Sequence, residues 1–239
     1  MISLTRENDV FTLTMDAGEN RWNTTFVRDI DKALDEVEAS SGPAALVTRS
    51  TDTKFFSNGL DLEWRQDPSA HPEGGDADAF GAEFMALMGR FITLPVPTIC
   101  AINGHAFGAG FMVALCHDIR IMREDRGFLC ANEMAIGFRI PSAELALFRH
   151  KLSGSAFYET VQFSRRWGGP DALAAGVVQH VASMEVIPEL AQQIAEQSAP
   201  LAANRELFGD QKQRLFGENS VLNLPHGAAH MLKNADQFG

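Results

Sequence analysis

Two short glycine-bearing segments constrain this chain more than any other feature. They are residues 55–61, Phe-Phe-Ser-Asn-Gly-Leu-Asp, and residues 102–110, Ile-Asn-Gly-His-Ala-Phe-Gly-Ala-Gly. The second follows a strand-like apolar run, residues 97–102, and opens into a helix-like run over residues 109–116. A strand that turns directly into a helix leaves the first helical N–H groups unbonded at the positive end of the helix dipole. Gly108 and Gly110 lack the Cβ atoms that would hold a ligand away from those donors. Two such turns suit an oxyanion hole, and a glutamate, Glu133, follows them after a further short strand-like run.

The rest of the chain supplies an α/β frame for these turns. Residues 10–15 and 44–48 read as strands around a helix over 26–39. A second amphipathic helix over 80–94 leads into the second turn, and strands are predicted at 119–122 and 128–130. After Pro141 strand signals nearly vanish: helices are predicted over 143–151, 155–163, 188–195, 202–216 and 221–232, with one short strand at 177–181. The expectation is a catalytic core over residues 1–185 and a helical C-terminal region over 186–239. Residues 65–78, with Pro68, Pro72, Gly74 and Gly75, lack periodicity and read as a mobile loop, either gating a pocket or inserted at the surface.

Charge and cysteine usage narrow the function classes. The net charge of -11 over 239 residues disfavours a general nucleic-acid or anionic-membrane surface. Cys100, Cys116 and Cys130 each lie in an apolar stretch and none belongs to a C-x-x-C pair. Buried reduced thiols in a cytoplasmic protein are therefore expected, with no disulfide framework and no metal site. The first residues carry no basic region followed by an apolar core, and no window approaches ~18 consecutive apolar residues, so no membrane segment is expected.

Taken in order, residues 56–62, 103–110, His117-Asp118-Ile119-Arg120 and Asn132-Glu133-Met134-Ala135-Ile136-Gly137 resemble the crotonase, or enoyl-CoA hydratase/isomerase, superfamily. The likeness spans residues 12–181 and is strongest over 54–141. Within the superfamily, residues 54–59 and 122–127 are similar to 3,2-trans-enoyl-CoA isomerases of the plant peroxisomal type. The resemblance implies a ββα spiral core and an acyl-CoA thioester substrate held without a separate cofactor, since coenzyme A is part of the substrate. It implies an oxyanion hole from the backbone N–H groups of Leu60 and Ala109, and Glu133 as the general base. It also implies coenzyme A binding by backbone near Lys54, Phe56, Asn58 and Gly59, with Gly108 giving access, and assembly into homotrimers or hexamers through the C-terminal helices. The apolar residues 145–148 and 201–216 are the surfaces expected for that assembly.

Departures from the family pattern select among its reactions. Hydratases of the family carry a second glutamate where this chain has Met112, and dienoyl isomerases carry an aspartate where it has Pro141. A single base facing an apolar wall of Met112, Phe107 and Phe111 suits a proton moved from one carbon to another with water excluded. Trp64 and the helix over 80–88 are expected to line the acyl pocket. Glu144, the next acid after Glu133, is expected on a helix surface, Asp61 as a helix N-cap, and His105 as a packed loop residue. The alternatives are a hydratase or other lyase of the family, and a non-catalytic acyl-CoA-binding or protein-binding member.

Overall fold

Apolar runs bounded by turns become two sheets in the computed structural model, which describes residues 1–217, 220 and 227–238. The strands are β1 (Ile2–Glu7), β2 (Val10–Met15), β3 (Ala45–Ser50), β4 (Phe55–Ser57), β5 (Thr98–Ile102), β6 (His105–Phe107), β7 (Ile119–Arg123), β8 (Leu129–Cys130) and β9 (His180–Ala182). The larger sheet runs in the order β1-β2-β3-β5-β7-β9, and the smaller in the order β4-β6-β8. Among the strand pairs of the described residues only β1–β2 is antiparallel. Each of β3, β5 and β7 passes through a short turn into its partner in the small sheet, which builds the expected ββα spiral.

Parallel strands need cover on both faces, and the pattern of β5 shows how it is provided. Cys100 and Ile102 face a core shared with the helices Thr24–Ala39, Phe80–Thr93 and Ala109–Cys116. Ile99 and Ala101 face the other way, against Val47, Ile121 and the helix Ile187–Ser198. That helix presents Ala191 and Ala195, whose small side chains let it lie close to the sheet. The helix Thr24–Ala39 buries Phe26, Val27, Ile30, Leu34 and Val37 along one stripe, and the Asn23 side chain caps it by accepting the Phe26 N–H at 2.9 Å. Burying each large aliphatic side chain contributes roughly 1.5–3 kcal/mol.

Several expectations need adjustment. Strand β1 was not anticipated; only Ile2 and Leu4 pack inward from an edge strand whose other residues are polar. Residues 65–78 are a loop for most of their length, but the end of the helix Leu62–Gln66 and the 3₁₀ turn Pro72–Gly74 fold it around the buried Trp64, whose Nε1 donates to the Gly75 carbonyl at 3.3 Å. Leu147 and Phe148 are wholly buried in this chain's own core, so the apolar stretch 145–148 is not a free surface; Leu201 and Leu207 are exposed. Residues 221–226 of the helix expected over 221–232 lie outside the described residues, and the remainder forms the helix Ala228–Lys233. No helix among the described residues is long and apolar enough to cross a membrane.

Candidate active site

The three strands of the small sheet are parallel, so their C-terminal ends lie on the same side. Beyond β4 come Asn58, Gly59 and Leu60; beyond β6, Gly108 and Ala109; beyond β8, Asn132 and Glu133. All of these line one cavity of about 220 Å³. Ligands bind at the carboxyl ends of parallel strands because the chain leaves the ladder there and its backbone groups become available.

In the first turn the neighbours of Leu60 are tied down while Leu60 is not. The Gly59 carbonyl accepts from Trp22 at 2.8 Å and the Asp61 N–H donates to the Trp22 carbonyl at 2.9 Å. The Leu60 N–H donates to no acceptor among the described residues. Gly59 has φ 82°, and a Cβ there would come within 2.8 Å of the Phe107 carbonyl oxygen and 3.8 Å of the Ala109 nitrogen, so the two turns touch at this residue. Asp61 caps the helix Leu62–Gln66, accepting the Trp64 N–H at 3.2 Å.

In the second turn the Gly108 N–H continues the small-sheet ladder to the Cys130 carbonyl at 2.9 Å, and the Gly108 carbonyl accepts the Met112 N–H to begin the helix Ala109–Cys116. Ala109 is the first helical residue, and its N–H has no acceptor among the described residues. Gly108 has φ 47°, and a Cβ on it would lie 3.0 Å from Glu133 Oε1. The carboxylate therefore sits against the turn that presents the Ala109 donor.

Glu133 begins the 3₁₀ turn Met134–Ile136, which Gly137 closes in the left-handed conformation. Its Oε2 is buried without a hydrogen-bond partner. Burial raises its pKa above the usual carboxylate value, because a desolvated carboxylate binds a proton more readily. Of the apolar residues after it, Met134, Ile136 and Phe138 are about half exposed, and Ile136 and Phe138 line the cavity.

Of the site residues predicted from sequence, Asn58, Gly59, Leu60, Gly108, Ala109, Met112 and Glu133 come together here, with Phe80, Phe84 and Met85 opposite. Lys54, Phe56 and Trp64 do not line the cavity. Phe56 is a wholly buried core residue, and Trp64 stands behind the wall, packed edge-on against Phe80 at 5.6 Å. Phe107 stacks on His105 and Phe111 lies in the core, so Met112 alone supplies the apolar wall assigned to these three residues. The largest correction is Glu144, which is buried and lines the cavity rather than a helix surface.

A cluster of cations lies beside the small sheet. His105 packs among Phe55, Phe107 and Phe128; burial lowers its pKa, and the charges of Lys54, Arg126 and Arg166 lower it further. A larger surface hollow elsewhere is lined by Glu19, Asp29, Asp61, Glu63 and Glu73 and would repel an anion. Among the described residues no group of side chains is placed to hold a metal ion, and the three cysteines are buried and unpaired.

Comparison with known proteins places this geometry in context. Residues 5–211 match the family model described as Enoyl-CoA hydratase/isomerase. The chain is 32% identical over 225 residues to the peroxisomal Enoyl-CoA delta isomerase 2 of Arabidopsis thaliana, covering 91% of this chain and 93% of that protein. It is 36% identical over 160 residues to a Carnitinyl-CoA dehydratase of Salmonella heidelberg, covering 65% of this chain and 59% of that protein. Among solved structures, the apo form of an enoyl-CoA isomerase of Mtb superposes with a TM-score of 0.76 at 26% identity, over 90% of each chain.

Proposed function

The chain belongs to the enoyl-CoA hydratase/isomerase family, and on that premise we propose that it is a 3,2-trans-enoyl-CoA isomerase. The observation that carries this reading is the buried, unpartnered carboxylate oxygen of Glu133 beside the turn at Gly108, where the Ala109 N–H has no acceptor among the described residues. In the proposed reaction the thioester oxygen accepts hydrogen bonds from Leu60 and Ala109. Glu133 removes a proton from the carbon next to the thioester, the negative charge moves onto that oxygen, and a proton returns two carbons further along. Fixed donors aimed at a developing oxyanion are worth roughly 3–4 kcal/mol each. Met112 supports isomerisation over hydration, because it puts a thioether on the helix after the turn.

The cavity of about 220 Å³ is smaller than the roughly 300–1,000 Å³ of pockets that enclose whole drug-sized ligands. It suits the acyl group, with the rest of coenzyme A outside. We assign the phosphates to the cations Lys54, Arg126 and Arg166, on a chain otherwise rich in carboxylates. The reading includes a self-assembled trimer or hexamer, for which exposed Leu201 and Leu207 offer apolar surface, and a reducing compartment such as the cytoplasm, which suits three unpaired thiols.

A second reading, hydration or dehydration of the acyl chain, is favoured by one observation: Glu144 adds a second carboxyl to the cavity. Incubation with 3-hexenoyl-CoA and, separately, with crotonyl-CoA decides between them. The isomerase converts the first to the conjugated 2-enoyl thioester and forms no 3-hydroxyacyl-CoA from the second. Hydration of crotonyl-CoA at a comparable rate would replace the isomerase reading, and inertness toward both, with acyl-CoA still bound, would leave a non-catalytic binding protein.

A further inference from the structure

Glu144 is the one buried acid of the cavity that the mechanism above leaves unused. It stands in the first turn of the helix Ser142–Lys151, is 7% exposed, and lines the same cavity as Glu133, Leu60, Ala109 and Met112. A first-turn glutamate ordinarily faces water or bonds the backbone N–H groups of the helix end. This side chain is instead turned into the cavity, and among the described residues no hydrogen bond or ion pair holds its carboxyl. A carboxylate that loses most of its water and gains no partner is costly, so burial here favours the protonated acid.

The surrounding charges agree with that state. Burial, and after it the charge of Glu133, push the Glu144 pKa up to about 8. Arg139 is the cation on the cavity rim; it is exposed and pairs with neither carboxyl. Arg149, His150 and Lys151 stand at the far end of the same helix, and Glu159, His230 and Lys233 lie on the helices packed against it; none of them contributes to the shift. The cavity therefore holds one carboxylate that can take a proton and one acid that can give one.

We propose that Glu144 is a second catalytic residue, which donates a proton to the remote carbon of the substrate while Glu133 removes one from the carbon beside the thioester. This role rests on the isomerase reading. With a 3-enoyl-CoA, the C2–H bond breaks, its proton bonds to Glu133, and the electron pair forms a C1=C2 bond as the carbonyl π pair moves onto the thioester oxygen, giving a dienolate conjugated with C3=C4. The Glu144 O–H bond then breaks, its proton bonds to C4, and the returning charge forms C2=C3. Glu133 is left protonated and Glu144 ionised. Passage of one proton from the first to the second, directly or through a water, restores the resting pair without any further reactant.

The test is single-turnover isomerisation of 3-hexenoyl-CoA deuterated at C2, with the position of the label in the product read by mass spectrometry. In the wild type the C4 hydrogen comes from solvent-equilibrated Glu144, so C4 carries no deuterium. Glu144→Gln is expected to slow isomerisation at least ~10-fold and to place deuterium at C4, because Glu133 must then carry the same proton both ways. Its melting temperature should equal or exceed that of the wild type, since an unpartnered buried carboxyl has been removed. Deuterium at C4 in the wild type overturns the role whether or not the variant folds. So does a Gln variant within about threefold of the wild-type rate, or a slowed one whose product still lacks label at C4. A wild type that does not isomerise 3-hexenoyl-CoA at all overturns the isomerase reading itself, and this role with it.

Discussion

The six-stranded sheet and the three-stranded sheet treat the same backbone chemistry in opposite ways. In the large sheet the β1, β2 and β3 ladders run for six residues, β5 is buried at every position, and helices cover both faces. In the small sheet the strands have only two or three residues, and just beyond them lie unbonded N–H groups, glycines at positive φ and a carboxylate oxygen without a partner. The small sheet is tolerable because the large one fixes where its strands begin and the helix Ala109–Cys116 packs on it. On the proposed function, stability and reactivity fall to neighbouring parts of one spiral, and substitutions should separate them.

The sharpest separation is at Glu133. Glu133→Gln is expected to lower the isomerisation rate by ~100-fold or more while keeping acyl-CoA binding and the melting temperature, because the amide preserves shape but cannot take a proton. Retention of more than about a tenth of the rate would break the assignment of reactivity to the small sheet. Next comes Ala109→Pro, which deletes one donor and should cost ~100-fold in rate in a protein whose circular dichroism is unchanged. Near-normal turnover in that folded variant would remove Ala109 from the oxyanion site.

The large sheet should give the reverse result. Ile99→Val is expected to cost about 0.5–1.5 kcal/mol of stability in denaturant titration and nothing in rate per folded molecule, since Ile99 is wholly buried on the sheet face under the helix Ile187–Ser198. A rate loss of more than about threefold would mean that the two regions are not separable.

Titration sharpens the comparison further, because the two regions respond to pH with opposite sign. His117 at the start of the path into β7 bonds the Val113 carbonyl and Thr48 Oγ1, and burial lowers its pKa to about 4. Between an unfolded value near 6.5 and that folded value the unfolded chain binds more protons, so this group makes stability fall as pH drops. For Glu144 the folded value of about 8 lies above the unfolded 4.5, so the folded chain binds more protons and stability falls as pH rises between them. Unfolding free energies of wild type and Glu144→Gln at pH 5 and pH 8 should therefore diverge toward the alkaline side, with the variant more stable at pH 8. An equal difference at both values would show that Glu144 is not held neutral by the fold.

What was legible in the sequence follows the same division. Gly59 and Gly108 announced themselves because no other residue fits a positive φ with another segment at its Cα, and the strand-turn-helix order around residues 97–116 needed no partner to be read. Glu144 was missed because a charged residue in a first helical turn is ordinarily solvated, although its spacing of three and four from the buried Leu147 and Phe148 already put it on the inward face. Strand β1 was missed because an edge strand needs few apolar residues. Trp64 was expected to line the pocket, yet its ring packs against Phe80, which does line it, and against Gly74, which does not.

The parallel small sheet also dictates when the site comes into existence. Asn58 and Glu133 are separated by about 75 positions in the chain, and neither β4 nor β8 is long enough to be stable before β6 lies between them. Contacts this distant in sequence require closing a long loop before they repay the lost chain entropy, so they form late. The helices, by contrast, are local and form early. Regained turnover during refolding therefore reports the completed topology, whereas regained helical signal does not.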